Sequence, residues 1–202
     1  MFIEIEGIEG AGKSTQCLML HEWMMKNGLD SVVVKELGST SFGEEVKKIL
    51  LEDGLKDAKA EMFLFLACKS QIFSQVIMPN LAQNKHVIGD RGSGSFISYN
   101  SSILGFDWDV LIDFLHIAMS GIESNMTILL DISVETALER IGPRPIKTRF
   151  DMIGETYLTK QRNKFVDLSR HFPHWILIDG TLPRQEIHLE IVKHLERHVG
   201  AV

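Results

Sequence analysis

The chain has few of the features that would place it outside a reducing compartment or inside a membrane. Its two cysteines, Cys17 and Cys68, are too few for a disulfide framework and lie in helix-like contexts typical of buried, reduced thiols. No continuous apolar run approaches the roughly 20 residues that cross a bilayer. No basic segment followed by a long apolar stretch opens the chain, so no signal peptide is expected. We therefore expect a cytoplasmic protein with no membrane partner.

An excess of positive charge is also missing. The chain has 21 Lys and Arg residues against 27 Asp and Glu residues, a formal net charge of −6. Proteins that bind nucleic acid without sequence preference need a basic surface to neutralise phosphates. The composition therefore argues against a nucleic-acid partner, and any local basic cluster needs a local explanation.

Internal repeats and low-complexity linkers are absent as well, so the sequence marks no domain boundary. A chain of this length can bury one core without disulfides or metals. Short apolar runs alternate with longer helical patterns along the whole sequence, which predicts a parallel sheet with helices on both faces. We expect one α/β domain spanning residues 1–202.

The predicted elements follow from these patterns. The predicted strands are Phe2–Glu6, Ser31–Lys35, His86–Gly89, Met126–Asp131 and Trp175–Asp179. The predicted helices are Lys13–Asn27, Phe42–Leu51, Ala58–Gln83, Asp107–Gly121, Ser133–Ile141, Gly154–His171 and Leu182–Val199.

The most informative stretch lies between the first predicted strand and the first predicted helix. It reads Gly7-Ile8-Glu9-Gly10-Ala11-Gly12-Lys13-Ser14, with the spacing G-x-x-x-x-G-K-S of a phosphate-binding loop. Glycines let successive backbone N–H groups point at one anion, and the following helix adds its positive N-terminal end. Lys13 is placed to reach the terminal phosphates of a nucleotide, and the Ser14 hydroxyl is placed to bind Mg²⁺.

A second candidate site follows the predicted strand His86–Gly89. Asp90 and Arg91 stand at its carboxyl end, where open α/β sheets bind ligands. Asp90 can orient water molecules around Mg²⁺, and Arg91 can hold a phosphate with two parallel hydrogen bonds, which lysine does less well. Alone, the pair would be an ordinary salt bridge at the end of a strand. Together with a phosphate loop, it predicts a second phosphate site.

Together, these motifs resemble the thymidylate kinases over nearly the whole chain. The resemblance rests on Ile5–Gln16, Lys35–Thr40, Asp90-Arg91 with Ser95, Tyr99 and Asn100, Leu129–Asp131, and Arg149–Asp151 before a helix. It implies transfer of the γ-phosphoryl group of ATP to thymidylate, with Mg²⁺ as cofactor. It also implies the P-loop nucleoside-monophosphate-kinase fold, a five-stranded parallel sheet with helices on both faces and a mobile lid, and a homodimer.

The resemblance also implies roles for individual residues. The implied ATP site comprises Gly7, Ile8, Glu9, Gly10, Ala11, Gly12, Lys13, Ser14, Thr15 and Arg140. The implied acceptor site comprises Glu9, Lys35, Phe65, Lys69, Arg91, Phe96, Tyr99 and Asn100. The implied catalytic residues are Lys13, Arg91, Arg144 and Arg149, and the implied metal site is Ser14 with Asp90 acting through water.

Three of the implied acceptor contacts have a stated chemistry. Phe65 matches an aromatic that stacks on thymine, although an apolar helix needs no ligand to justify a phenylalanine. Tyr99 matches a tyrosine that crowds the ribose 2′ position and so favours deoxynucleotides. Glu9 matches a carboxylate that approaches the acceptor's sugar and phosphate. Because an acid inside an anion site repels phosphate, a contact with a sugar hydroxyl or a metal-bound water explains it.

A basic segment near the end of the chain resembles a lid. Residues 139–149 carry Arg140, Arg144, Lys147 and Arg149 among glycine and proline residues that break the preceding helix. The resemblance is to the bacterial-type members, whose lid, here at about residues 140–150, supplies the arginine that neutralises the transferring group. A solvated basic loop is the alternative.

Several acceptor-side residues depart from the family pattern. Lys35 and Leu37 replace an arginine and a proline, and Gly92 stands where an aromatic or histidine usually follows the Asp–Arg pair. Lys69 replaces an arginine that contacts the base, and Phe96 replaces a small polar residue that reaches the base edge. The alternatives are therefore a kinase for another deoxynucleoside monophosphate, or one with relaxed base choice. Outside enzymes, the alternative is a nucleotide-binding module without turnover.

The stretch Glu61–Met78 is apolar on nearly every side. A helix of this kind must be covered on every side. A self-complementary dimer interface is one possible cover, and packing inside the chain's own core is the other. The sequence leaves both open.

Overall fold

Five parallel strands form one sheet at the centre of the molecule. The computed structural model describes residues 1–51, 57–142 and 154–199, and within them the strand order is β2-β3-β1-β4-β5. The strands are β1 Phe2–Glu6, β2 Ser31–Lys35, β3 His86–Asp90, β4 Met126–Asp131 and β5 Trp175–Asp179. Ile3 of β1 lies opposite Ile88 on one side and Met126 on the other. The predicted parallel five-stranded sheet is confirmed.

Helices connect the strands. They are α1 Lys13–Lys26, α2 Ser41–Leu51, α3 Ala58–Ile72, α4 Met78–Ala82, α5 Ser93–Leu104, α6 Trp108–Ala118, α7 Val134–Ile141, α8 Glu155–His171 and α9 Arg184–Val199. A π-helical turn over Phe73–Ile77 joins α3 to α4, so helical structure continues from α3 through α4. All five residues of β1 are buried, which requires helices over both faces of the sheet centre.

Helix α5 was not predicted, and its sequence explains why. Its residues read SGSFISYNSSIL, and serine and glycine favour turns over helix interiors. Buried carboxylates from β1 accept hydrogen bonds from its first backbone amides. Glu6 accepts from the N–H of Gly92 at 2.9 Å and of Ser95 at 2.7 Å, and Glu4 accepts from the N–H of Ser93 at 3.1 Å. A tertiary contact thus replaces the local cap that a sequence pattern would reveal.

The helical stretch Ala58–Ala82 is long and apolar enough to cross a membrane by length and composition, with a mean hydropathy of 1.3. Core helices of globular proteins meet the same criterion, so the property is weak evidence. Here the stretch packs on the sheet, where the Phe2 and Phe73 rings meet edge to face at 5.7 Å. It also buries two charged side chains, Glu61 and Lys69. We therefore interpret it as a helix of this fold's core.

Both cysteines are free and buried, as predicted. Burial raises the pKa of the Cys17 thiol well above its usual value, and burial followed by the negative charge of Glu36 raises the pKa of Cys68 to about 11. Both thiols therefore stay protonated near neutral pH and pack as small apolar groups.

Candidate active site

A cleft of about 700 Å³ opens at the carboxyl ends of the strands. Every predicted site residue in the described part of the chain lines this cleft except Gly7, Ile8, Ala11 and Lys69. Arg144 and Arg149 lie outside the described residues. The two predicted phosphate sites, which are 76 residues apart in the sequence at Ser14 and Asp90, are therefore brought into one cavity.

The phosphate loop depends on glycine for its shape. Gly7, Gly10 and Gly12 all have positive φ, at 142°, 80° and 95°, a region that favours glycine. A Cβ atom on Gly7 would also lie 2.6 Å from the carbonyl oxygen of Leu130 in β4. The loop therefore turns tightly over the carboxyl ends of the central strands β1 and β4, with its main chain close to the cleft.

The loop residues that do not line the cleft support it from below. Ile8 and Ala11 are both buried in the main hydrophobic core. Their burial fixes the loop before any nucleotide binds, because moving the loop would expose apolar surface.

Lys13 is buried and folded back on its own loop. Its Nζ donates a hydrogen bond to the carbonyl oxygen of Ile8 at 2.7 Å. Burial, and after it the positive charge of Arg91, lower the pKa of Lys13 to about 7 against the attraction of nearby carboxylates. Two basic side chains, Lys13 and Arg91, thus line the same cleft. An anion bound between them would relieve their repulsion.

Ser14 and Asp90 form the pair that fits a magnesium ion. The Ser14 hydroxyl donates to Oδ2 of Asp90 at 2.6 Å, across from the phosphate loop to the end of β3. A hydroxyl and a carboxylate are the hard oxygen donors that Mg²⁺ prefers, with water and phosphate oxygens filling its other positions. The donor set therefore suits the ion.

Arg91 is held at the rim of β3 by a short chain of contacts. Its backbone has φ 74°, and its N–H donates to the carbonyl oxygen of Ile5 at 3.1 Å. Its guanidinium Nη1 donates to the Ser95 hydroxyl at 3.3 Å, and that hydroxyl donates to Glu6 at 2.6 Å. Burial raises the pKa of Glu6, and the Ser95 hydrogen bond and the charge of Arg91 oppose the rise. Arg91 is thus oriented by side chains that are themselves fixed.

Gly92, one of the departures noted above, is explained by an acid from β1. A Cβ atom on Gly92 would lie 2.1 Å from Cδ of Glu4, so the Glu4 carboxylate fills the space that a side chain at 92 would need. Glu4 is 1% exposed and also accepts a hydrogen bond from the Ser93 hydroxyl at 3.2 Å. Burial raises the pKa of Glu4 to about 7, and the attraction of Lys69 opposes the rise.

Lys69 is engaged in a buried ion pair. Its Nζ lies 2.8 Å from Oε1 of Glu36, and both side chains are largely buried. Burial alone would lower the pKa of Lys69, but the attraction of Glu36 and Glu4 outweighs burial and raises the pKa. Lys69 is therefore a charged group held beside the cleft, and its predicted contact with the base stays a prediction.

Aromatic rings form one wall of the cleft, where the sequence predicts the acceptor. The Phe65 and Tyr99 rings lie 5.8 Å apart, and Tyr99 meets Tyr157 edge to face at 6.0 Å. The Tyr99 hydroxyl donates to Oε2 of Glu61 at 3.4 Å. Phe65 and Tyr99 were predicted, whereas Tyr157 was missed.

The cleft also includes residues that the sequence analysis did not single out. They are Glu36, Gly38, Lys47, Tyr157, Leu158 and Gln161, and Leu37, which was noted only as a departure. Tyr157 and Gln161 are four residues apart on α8, so they occupy one face of that helix. This spacing was the available signal, but it becomes meaningful only once α8 is known to lie beside α5.

Contacts on the donor side fix the helices around the phosphate loop. Nη1 of Arg140 donates to the carbonyl oxygens of Gly180 at 2.9 Å and Gly10 at 3.4 Å. These bonds link α7 to the loop that follows β5 and to the phosphate loop. Arg162 of α8 donates two hydrogen bonds to Asp131 at 2.7 and 2.8 Å, which holds α8 at the end of β4.

Comparisons with known proteins agree with this geometry. A family model described as thymidylate kinase matches residues 5–191. A probable thymidylate kinase of Thermococcus onnurineus is 36% identical, over 98% of both chains. A thymidylate kinase of Halothermothrix orenii is 35% identical, over 95% of this chain and 94% of its own. One of Neisseria meningitidis is 30% identical, over 98% of both. The chain belongs to the thymidylate kinase family.

Proposed function

We propose that the chain transfers the γ-phosphoryl group of ATP to thymidylate, giving ADP and thymidine diphosphate. Its family membership supports this reaction. The observation that carries the proposal is that Lys13 and Arg91 line the same cleft. Each of these cations can neutralise a different phosphate. The chain would act as one kinase domain, and its lid, expected at about residues 140–150, lies from residue 143 onward outside the described residues.

The enzyme's contribution is positioning and charge neutralisation, because the acceptor phosphate needs little activation. Backbone N–H groups of the phosphate loop and the N-terminal end of α1 hold the ATP phosphates. Lys13 leaves the carbonyl oxygen of Ile8 and turns to the terminal phosphates. Arg91 holds the acceptor phosphate in line with the γ-phosphoryl group, and the lid residues Arg144 and Arg149 neutralise that group during transfer.

Ser14 would hold Mg²⁺ directly, and Asp90 would hold it through water. A magnesium ion held there would supply positive charge that offsets the negative charge developing on the phosphates. The rest of the ATP site is Thr15 after the loop and Arg140, whose guanidinium already bridges the two loops next to it.

The acceptor nucleotide lies along the aromatic wall. Phe65 stacks on the base, with Phe96 and Asn100 near the base edge, and Tyr99 crowds the 2′ position of the sugar. Lys35 and Glu9 also line the cleft, and in this proposal Lys35 supports the acceptor phosphate and Glu9 approaches the sugar.

One observation favours relaxed base choice as a second candidate. Lys69 is committed to Glu36 at 2.8 Å and does not line the cleft. A base contact through Lys69 would require breaking a buried ion pair, which is costly. The cleft would then distinguish thymine from other pyrimidines mainly by shape, and shape discriminates less than paired hydrogen bonds.

The test is a panel of monophosphates assayed with ATP, in ribo and deoxy forms of thymine, uracil, cytosine, adenine and guanine. Thymidylate as the best acceptor supports the first candidate, and comparable use of other deoxypyrimidine monophosphates supports the second. ADP release that depends on an added monophosphate excludes a non-catalytic binding module. A clear preference for a purine monophosphate would contradict both candidates.

A homodimer would cover the exposed face of the apolar helix. Phe63 is 55% exposed and Ile117 is 75% exposed, and Phe63 lies edge to face with Phe114 at 6.2 Å. A second copy of the chain is the proposed cover, through the stretch Glu61–Met78. Sedimentation velocity should give a dimer for the wild type and a monomer for Phe63→Asp.

The buried free thiols of Cys17 and Cys68 fit a cytoplasmic location.

A further inference from the structure

The hydroxyl of Tyr157 is a buried polar group in the cleft that the roles above do not use. Tyr157 lies in the first turn of α8, and its ring is part of the cleft wall. The hydroxyl oxygen is buried and has no hydrogen-bond partner among the residues that the structure describes. Leaving a buried hydroxyl unpaired is unfavourable. A group in this state at the wall of a binding cleft is suited to a ligand.

The other tyrosine of the chain provides a contrast. The sequence has two tyrosines, and their rings meet edge to face at 6.0 Å. The Tyr99 hydroxyl has a protein acceptor in Glu61 at 3.4 Å. Two phenols in one wall of the cleft therefore differ in that one is paired by the protein and the other is not.

The charge around Tyr157 determines what its hydroxyl can do. Burial, and then the nearby Tyr99, raise the pKa of Tyr157, and the positive charge of Arg91 only partly opposes the rise. The hydroxyl therefore stays protonated and can donate a hydrogen bond at any physiological pH. Tyr157 and Arg91 both line the cleft, so the hydroxyl shares the cavity with the guanidinium that is proposed to take the acceptor phosphate.

The position of Tyr157 selects the part of the acceptor that it meets. If Arg91 holds the phosphate and Phe65 stacks on the base, the sugar lies between them, beside Tyr99 and Tyr157. This step rests on the proposed function. A deoxyribose has one hydroxyl left for recognition, at the 3′ carbon. Glu9 can only accept a hydrogen bond from that hydroxyl, so the lone pairs of the 3′ oxygen need a donor.

We propose that the Tyr157 hydroxyl donates a hydrogen bond to the 3′-hydroxyl oxygen of the acceptor monophosphate. Tyr157 is then a specificity-determining residue of the acceptor site. It favours sugars with a free 3′-hydroxyl, while Tyr99 disfavours those with a 2′-hydroxyl.

The test compares two acceptors with the full-length protein, thymidylate and its 3′-deoxy analogue, at saturating ATP. Tyr157→Phe removes the hydroxyl and keeps the ring. For thymidylate, kcat/KM should fall by about tenfold, the loss expected for one buried hydrogen bond. For the 3′-deoxy analogue it should change by less than about twofold, and the KM for ATP should not move. An equal loss with both acceptors, or no loss with either, would overturn the proposal.

Tyr99→Phe is the matched control, because it removes a hydroxyl that the protein already pairs. Its effect should be the same for both acceptors. The two monophosphates are also titrated calorimetrically against the wild type and Tyr157→Phe. If the wild type turns over neither acceptor, the proposed function fails. The calorimetric comparison still decides the role of Tyr157, which is contradicted if Tyr157→Phe weakens both monophosphates equally.

Discussion

The two halves of the cleft are built from different materials. The donor half, the part proposed to hold ATP, is mostly the main chain of one continuous loop in which Gly7, Gly10 and Gly12 adopt positive φ, with the side chains of Lys13, Ser14 and Arg140 beside it. The acceptor half, the part proposed to hold the monophosphate, is mostly side chains, drawn from the ends of β2 and β3 and from α2, α3, α5 and α8. A main-chain site fails when one glycine changes, whereas a side-chain site can exchange residues in compensating sets. The departures noted in the sequence analysis lie among the proposed acceptor residues, where exchanges of this kind are possible.

Glu4 and Gly92 are two positions beside this half whose side-chain volumes fit each other. The Glu4 carboxylate occupies the space that a side chain at 92 would fill, and it accepts two hydrogen bonds from Ser93. It also faces Lys69, which is paired with Glu36. A buried charge without a partner is strongly destabilising, so substitutions in this set are expected to be coupled.

The largest effect is expected in the donor half. Lys13→Ala should lower kcat by about a thousandfold, because no other group in the loop supplies a positive charge to the terminal phosphates. The measurement is steady-state ADP release with thymidylate. Lys85→Ala is the control, since Lys85 lies before β3 and pairs with Asp30 at 3.4 Å, away from the cleft. A rate near that of the wild type for Lys13→Ala would show that the loop is not catalytic.

The donor half could be predicted from sequence because its information is local. The spacing of Gly7, Gly12, Lys13 and Ser14 specifies the loop, and the loop brings its own geometry. The parallel sheet was equally accessible, because strands buried on both faces leave continuous apolar runs.

The acceptor half could be predicted only in part, because its geometry depends on contacts between distant residues. Helix α5 has a turn-like composition and is capped by Glu4 and Glu6 from a strand about 90 residues earlier. Tyr157 reaches the cleft only because α8 packs beside α5. The pairing of Lys69 with Glu36 likewise joins two residues that no local pattern connects.

Glu4→Gln tests whether burial of the Glu4 carboxyl group disfavours its ionised form and so destabilises the folded protein at high pH. The pKa of Glu4 rises from 4.5 to about 7 on folding. Between these values the folded state keeps a proton that the unfolded state has lost, so the free energy of unfolding falls as pH rises. Glutamine does not titrate. The free energy of unfolding of Glu4→Gln should therefore increase by about 3 kcal/mol relative to that of the wild type as the pH is raised from 4.5 to 8.

Urea unfolding of both proteins across this pH range measures the difference. Glu45→Gln, at a carboxylate whose side chain is 69% exposed, is the control for replacing a glutamate at the surface. A difference for Glu4→Gln that does not change with pH would mean that Glu4 is ionised as readily in the fold as in water.

Arg91→Ala sharpens the comparison by separating the two phosphates. It should lower kcat/KM for thymidylate by about a hundredfold, because a charge-assisted double hydrogen bond to the acceptor phosphate is lost. The affinity for ATP, measured by calorimetry, should change much less. Arg91→Lys keeps the positive charge and loses the planar fork of donors. Its kcat/KM for thymidylate should therefore lie between those of the wild type and Arg91→Ala. Equal losses for thymidylate and ATP would refute an assignment to the acceptor.

Gly92→Ala is expected to have the smallest of these effects and tests the compensation directly. The backbone at Gly92 is extended, with φ −163°, so any destabilisation must come from contact with Glu4 rather than from backbone strain. The new methyl group would lie 2.1 Å from Cδ of Glu4, which must then move and weaken its hydrogen bonds to Ser93. We expect a loss of about 2 kcal/mol in the free energy of unfolding, typical of overpacking.

In a Glu4→Ala background the same change should cost less than about 0.5 kcal/mol, because the space is then open. Equal losses in both backgrounds would show that the two positions are independent.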